Sequence, residues 1–374
     1  MTAIRRSAAL VPALGWISVL VDLILLLFAE PMQAQSFVSV RGTNRRIAGR
    51  VVDHSHNHGG DRRLFSPLLG MPRDLYVYLP PGYSTRRAYP LILYFHGGFG
   101  DEHAFLEGDR IAFLDWAIRR GWIPPVIVAC PDGTVSGQSR LTAPHSMYLD
   151  GGKPFERHTM DEVVPFLLRT YSIRPEREAH AILGLSSGGV GAIDLAVRHR
   201  DVFGAVAVLA APLNLRYTTV SGDGLDDFLP ASYRWKTTYD PNEVVGVFLG
   251  GLIRLKANRF VQPVFGTDPG VVGRVARQNP VEVVRGGDVR PGELPIYIHY
   301  GGRDNLNFDA QAQSFVWLTA DRGLDLTVES DPQAGHSIRY FRENQKRAYL
   351  WLAQHLLPPV NLIPAPPLPE STAR

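Results

Sequence analysis

Short apolar runs alternate with longer stretches of helical periodicity through most of the 374-residue chain. Strands are predicted at residues 47–52, 74–79, 91–95, 125–130, 180–183, 204–209, 295–300 and 324–330. Several of these, such as Leu91-Ile92-Leu93-Tyr94-Phe95 and Val126-Ile127-Val128-Ala129, are apolar at every position rather than at alternate ones. Strands buried on both faces of a parallel sheet read that way. Between them the spacing turns helical, at 102–120 (with Phe105, Leu106, Phe113, Trp116 and Ala117), 161–171, 188–199, 308–322 and 339–356. Parallel strands need crossover connections, and the intervening helices supply them. The pattern therefore predicts an α/β fold with one mostly parallel, eight-stranded sheet flanked by helices.

Two regions depart from the alternation. Residues 213–290 are rich in Gly and aromatics and hold one apolar run at 244–253, with Phe248, Leu249, Leu252 and Ile253. They read as a cap-like insertion leaving the sheet at the carboxyl end of the 204–209 strand, where reactive side chains gather in such sheets. Two roles stay open for the apolar run: a cap that lines the substrate pocket through Phe248 and Leu252, or a helix that only packs. Residues 358–374 carry Pro358, Pro359, Pro364, Pro366, Pro367 and Pro369, and read as a flexible tail unable to hold a helix or a ladder strand.

The first 35 residues read as a targeting segment. Arg5 and Arg6 precede a 17-residue run, 13–29, broken only by Asp22. Cleavage after Ala34 would release a secreted or periplasmic domain spanning 36–357; an uncleaved segment would leave that domain anchored by an N-terminal helix.

Composition narrows the function further. Basic and acidic residues nearly balance, 39 against 36, and the arginines are scattered among carboxylates rather than gathered in a stripe, which argues against nucleic acid as a partner. The single cysteine, Cys130, excludes an intrachain disulfide and any multi-cysteine metal site, and its place in an apolar run reads as a buried small hydrophobe. His54, His56 and His58 stand at alternate positions beside Asp53 and Asp61, but lack a distant fourth ligand and read as a polar loop, so no metal is expected.

The chemistry-bearing signal is Gly184-Leu185-Ser186-Ser187-Gly188, between a short strand and a helix that opens on small residues. A serine at a sharp strand-to-helix turn adopts strained backbone angles, and flanking glycines remove the side chains that would collide there. The 91–95 strand runs into His96-Gly97-Gly98-Phe99-Gly100, a loop whose Gly98 N–H can meet a developing oxyanion, with Ser187 N–H at a helix N-terminus as the second donor. Phe99 beside it is a candidate substrate contact, and His96 a loop-shaping residue. In the order such folds use, an acid and a base should follow on loops after late strands. Asp304 and His336 fit; Asp309 and Asp331 are nearby alternatives for the acid.

With these residues in place, the chain resembles the "Putative esterase" family of α/β-hydrolases. This family includes esterase D, feruloyl and acetylxylan esterases, enterochelin esterases and secreted mycolyltransferases. The likeness rests on Arg73-Asp74-Leu75-Tyr76-Val77-Tyr78-Leu79-Pro80-Pro81-Gly82-Tyr83, Phe95-His96-Gly97-Gly98, Glu162-Val163-Val164-Pro165-Phe166, Leu183-Gly184-Leu185-Ser186-Ser187-Gly188-Gly189, Gly302-Arg303-Asp304-Asn305-Leu306 and Gly335-His336-Ser337. It implies Ser186, Asp304 and His336 as a catalytic triad, Gly98 and Ser187 as oxyanion donors, and no cofactor. The family often has Met at the position of Ser187 and Trp near Ile338. The expectation is a secreted serine esterase working through an acyl-enzyme on a small-molecule or carbohydrate-linked ester. Two alternatives stay open: acyl transfer to a sugar or alcohol, and a noncatalytic carbohydrate- or wall-binding module on the same scaffold. A membrane partner is expected only through an uncleaved N-terminal segment.

Overall fold

The structure, a computed structural model, describes residues 39–56, 60–107, 109–137 and 143–362. The expected targeting segment, His58 and most of the Pro-rich tail lie outside these residues.

Eight strands form the large sheet: β1 (Arg50–His54), β2 (Leu75–Leu79), β3 (Leu91–Phe95), β4 (Ile127–Pro131), β5 (His180–Leu185), β6 (Ala205–Leu209), β7 (Ile296–Gly301) and β8 (Leu326–Asp331). Their order across the sheet is β1-β2-β4-β3-β5-β6-β7-β8. Pairing is antiparallel for β1 with β2 and β2 with β4, and parallel from β4 onward. The α/β fold read from the sequence is thus present, with the strands that were apolar at every position buried along their whole length.

Helices α1 (Arg110–Arg119), α2 (Val164–Thr170), α3 (Gly188–Arg198), α4 (Asn258–Phe265), α5 (Val271–Gln278), α6 (Pro280–Gly286), α7 (Phe308–Thr319) and α8 (Ile338–His355) complete the unit. Two expected helices are interrupted. The 102–120 span divides into a 3-10 turn, Glu102–Phe105, capped by Asp101, and α1; the sequence between them, Glu107-Gly108-Asp109, breaks the apolar period. The 161–171 helix is preceded by a π turn at His158–Val163. Pro165 has no N–H to complete an α-type ladder, and the wider turn accommodates the missing bond.

The 213–290 segment holds two hairpins, Tyr217–Thr219 with Tyr233–Trp235 and Val244–Phe248 with Ile253–Lys256, followed by α4, α5 and α6. The helix alternative for 244–253 is therefore replaced by a hairpin. Its β-branched residues sit on an extended chain, and Gly250 and Gly251, both with positive φ, turn it back. The C-terminal part of the segment is less separate than the sequence suggested, because Val281, Val283, Val284 and Val289 belong to the main core. Two buried asparagines stitch the base: Asn279 Nδ2 donates to Asn214 Oδ1 (3.2 Å), Leu215 N–H to Asn279 Oδ1 (2.8 Å), and Asn214 Nδ2 to Ser314 Oγ on α7 (3.1 Å). At the start of the expected tail, Val360 and Asn361 pair with Ala88 and Arg87. The prolines at 358 and 359 thus precede a two-residue ladder instead of preventing one.

Candidate active site

The loops that leave β3, β5, β7 and β8 converge. Ser186 follows β5 directly, with φ 50°, a left-handed conformation that costs a non-glycine residue about 1–2 kcal/mol. Its backbone is held by a bond from Ser186 N–H to Leu209 O on β6 (2.9 Å). The flanking glycines allow chain-to-chain contact: a Cβ on Gly188 would stand 2.4 Å from His96 O, and one on Gly184 2.6 Å from Gly189 Cα. The oxyanion-loop candidate and the serine turn therefore pack backbone against backbone.

Ser186 Oγ lies 3.0 Å from His336 Nε2, and His336 Nδ1 lies 2.8 Å from Asp304 Oδ2. The Asp304 side chain is fully buried, and its other oxygen accepts Leu306 N–H at 2.8 Å. A buried carboxylate with these partners fixes His336 with its proton on Nδ1 and a free lone pair on Nε2, facing the serine. The acid and base loops are tied together by Arg303 N–H to Ala334 O (3.0 Å), a contact open because residue 301 is glycine; a Cβ there would meet Ala334 O at 2.4 Å. Ser337 caps α8 by accepting Tyr340 N–H, and Phe308 and Phe341 hold the His336 ring edge-on from two sides. The alternative acids stand elsewhere: Asp309 lies in the first turn of α7, and Asp331 ends β8 with its carboxylate on Gln333 N–H.

Gly98 and Ser187 are neighbours, since a Cβ on Gly98 would be 3.3 Å from Ser187 Oγ. Among the described residues neither backbone N–H donates a hydrogen bond within the protein. His96 is buried and acts on the loop, as the sequence suggested: Nε2 accepts Gly133 N–H (2.8 Å), which leaves Nδ1–H to donate to Gly97 O (2.9 Å).

The insertion reaches both the Asp304 loop and the Gly98 loop. Val247 N–H donates to Asn305 O (2.9 Å) and Asn305 Nδ2 donates to Val247 O (3.1 Å), so the 244–256 hairpin docks on the residue after Asp304. At the other end, Phe99, itself left-handed with φ 63°, sits under the Arg259 guanidinium (4.8 Å) and edge-on to Phe260 (5.9 Å). Phe248 is half-buried, whereas Leu252 at the hairpin tip is 67% exposed. Arg259 and Phe260 carry no sequence motif that marks them.

Of the histidine run, His54 faces inward to Tyr171 OH at 2.7 Å. A separate acidic cluster, Asp74, Glu102 and Asp132, places its carboxylate oxygens within 4.8 Å of one another in the interior. Arg73 bonds Asp132 at 2.8 Å, while burial raises Glu102 well above the usual carboxylate range and Asp74 to about 6. A proton on Glu102 and the Arg73 guanidinium offset two of the three carboxylates, and Asp74, which accepts His56 N–H at 2.8 Å, keeps the remaining charge above about pH 6.

Similarity to known proteins extends over most of the described residues. A family model described as "Putative esterase" matches residues 66–352. Esterase Rv1288 of Mycobacterium tuberculosis is 28% identical over 173 residues, which is 45% of this chain and 36% of that protein's length. This chain therefore spans about a third of the relative it matches. Among solved structures, a ferulic acid esterase superposes with TM-score 0.56 at 20% identity, covering 82% of this chain and 98% of its own. The S-formylglutathione hydrolase of Agrobacterium tumefaciens does so with TM-score 0.57 at 17% identity, covering 83% and 97%.

Proposed function

The chain belongs to the "Putative esterase" family, and from that membership and the geometry at Ser186 we propose that it is an exported serine esterase acting on carboxylic esters through an acyl-enzyme. The observation that carries the reading is the 3.0 Å approach of His336 Nε2 to the Oγ of a left-handed serine backed by a buried Asp304. Ser186 Oγ attacks the ester carbonyl carbon while His336 Nε2 takes its proton, and Asp304 stabilises the imidazolium through Nδ1–H. The carbonyl electron pair moves onto oxygen and is met by the N–H groups of Gly98 and Ser187. Collapse expels the alcohol, protonated by His336. Water, deprotonated by the same nitrogen, then attacks the acyl-Ser186 carbonyl and releases the carboxylic acid and free serine. An intact relay argues against the noncatalytic alternative.

The insertion forms one wall of this site, since it bridges the loop of Asp304 and the loop of Gly98 through Asn305 and Phe99. Export rests on the N-terminal sequence alone. Among the described residues no helix is long and apolar enough to cross a membrane, and sequencing of the mature N-terminus should find it near Gln35.

A fluorophosphonate probe should label Ser186, and Ser186→Ala should lower hydrolysis of p-nitrophenyl esters by at least about 1,000-fold. Undiminished labelling of the Ser186→Ala protein would sink the assignment. Alcohols and sugars added to the same assay report whether water is the only acceptor.

A further inference from the structure

Ser187 is one of the oxyanion donors through its backbone, yet its side chain is not idle. It is buried, it lies against Gly98, and its Oγ stands 3.2 Å from Nδ1 of His145, a buried histidine from the loop after β4. That same Nδ1 accepts Met147 N–H at 3.0 Å. Its lone pair is therefore directed at backbone and hydroxyl donors, the ring proton sits on Nε2, and Ser187 O–H is the donor in the pair. Nε2 is buried with no partner, and burial holds the imidazole well below its ordinary pKa, so it stays neutral. A weak base already occupied at Nδ1 does not make Ser187 a second nucleophile.

The ring of His145 also reaches the other donor. It meets His96 edge-on at 5.0 Å, and His96 holds Gly97 O directly. Tyr148, three residues on, accepts His96 N–H (3.3 Å), donates to Pro131 O (2.9 Å) and stacks on Phe95 at 3.9 Å. Met147 and Tyr148 both have positive φ, 56° and 58°. Two consecutive strained residues persist only where their surroundings over-determine them, and such strain gathers at functional sites. The strained stretch here packs under the elbow helix, where a Cβ on Gly191 would meet Met147 O at 2.3 Å.

We propose that His145 is a positioning residue for the oxyanion hole, which sets the spacing of the Gly98 and Ser187 N–H donors by holding Ser187 Oγ on one side and the His96 ring on the other. The proposal rests on the serine esterase reading above. An oxyanion donor counts by its placement relative to where charge develops, so a small displacement weakens the transition state and leaves substrate binding almost untouched.

The test is kinetic, on the full chain, with a p-nitrophenyl ester and with an aryl trifluoromethyl ketone, whose adduct with Ser186 carries the oxyanion. His145→Leu should lower kcat by about 10- to 100-fold with KM within about twofold, and weaken the ketone in proportion to kcat. His145→Asn, which keeps an acceptor near the place of Nδ1, should recover most of the loss. Ser187→Ala should cost about 10-fold, and adding His145→Leu to it should cost far less than the product of the two single effects. Equal losses in the Leu and Asn variants, or single effects that multiply, would overturn the proposal. If His145→Leu does not fold, full activity in a stably folded Ser187→Ala protein would overturn it too. Turnover that survives Ser186→Ala would instead remove the esterase reading itself, so the two failures are distinguishable.

Discussion

Around Ser186 the chain makes its turns where side chains are missing, and backbone meets backbone; at the tip of the 244–256 hairpin it turns where nothing is near. Gly188 and Gly250 show the difference. A Cβ on Gly188 would lie 2.4 Å from His96 O and 2.5 Å from Phe95 O, whereas Gly250, at φ 64°, has nothing within 4 Å of the same position. One glycine exists for close approach and the other for backbone conformation. The candidate triad is thus set by contacts between main chains, which cannot relax independently, while the hairpin is fixed along one edge by Asn305 and ends in exposed Leu249 and Leu252. The proposed chemistry sits in the closely packed part, and the proposed role of the hairpin in substrate selection is the side of the contrast open to test.

The sharpest way to break this contrast is to alter a charge inside the rigid part. Asp304→Asn should lower kcat by roughly 10,000-fold, because the amide no longer holds His336 in the tautomer that presents Nε2 to Ser186. Asp309→Asn and Asp331→Asn should stay within about tenfold of the parent, since neither carboxylate reaches His336. A crippling Asp309→Asn would mean that the acid is five residues later than the relay indicates. Steady-state kinetics on the three variants decide it.

Next comes a steric change. Gly188→Ala drives a methyl group into two backbone carbonyls, and overpacking of this kind costs about 1–3 kcal/mol or more. The elbow should open, with loss of fluorophosphonate labelling and a lower unfolding midpoint. Gly250→Ala imposes only the left-handed penalty, about 1–2 kcal/mol confined to the hairpin tip, and should leave labelling intact. Equal loss of labelling in both would show that the insertion is as tightly coupled to Ser186 as the elbow is.

The same contrast explains what could be read from the chain before its structure. All eight strands were legible to within a few residues: the inner ones because strands buried on both faces are apolar nearly throughout, as in Leu91–Phe95, and the partly exposed edge strands β1 and β8 from their short β-type runs. The candidate triad was legible because each member stands beside glycines forced by close approach, in an order the sheet imposes. The run at 244–253 was not, because apolar residues without alternation do not distinguish helix from strand, although Gly250-Gly251 carried the turn signal. His145 was not legible either. Its significance arises only when residues 42 positions apart, His145 and Ser187, meet in the folded chain, and no local spacing reports that.

The smallest expected effect tests whether the insertion selects the acyl group. Phe248 faces inward on the hairpin, on the same side as the buried Ile253 with which it pairs, whereas Leu252 projects from the tip at 67% exposure. Phe248→Ala removes partly buried area and should cost about 1–2 kcal/mol of stability, while Leu252→Ala should cost less than about 0.5 kcal/mol. If the hairpin is a wall of the site, both should shift the preferred chain length of p-nitrophenyl esters. Each methylene of lost contact is worth at most about 1 kcal/mol, so a change of roughly threefold to tenfold in the ratio of long- to short-chain kcat/KM is the scale to look for. Leu252→Ala is the cleaner of the two, since it alters the profile without the complication of a loosened hairpin. A Phe248→Ala protein of lower stability with an unchanged profile, together with a silent Leu252→Ala, would assign the hairpin to packing against Asn305 and leave acyl selection to Phe99 and its partners Arg259 and Phe260.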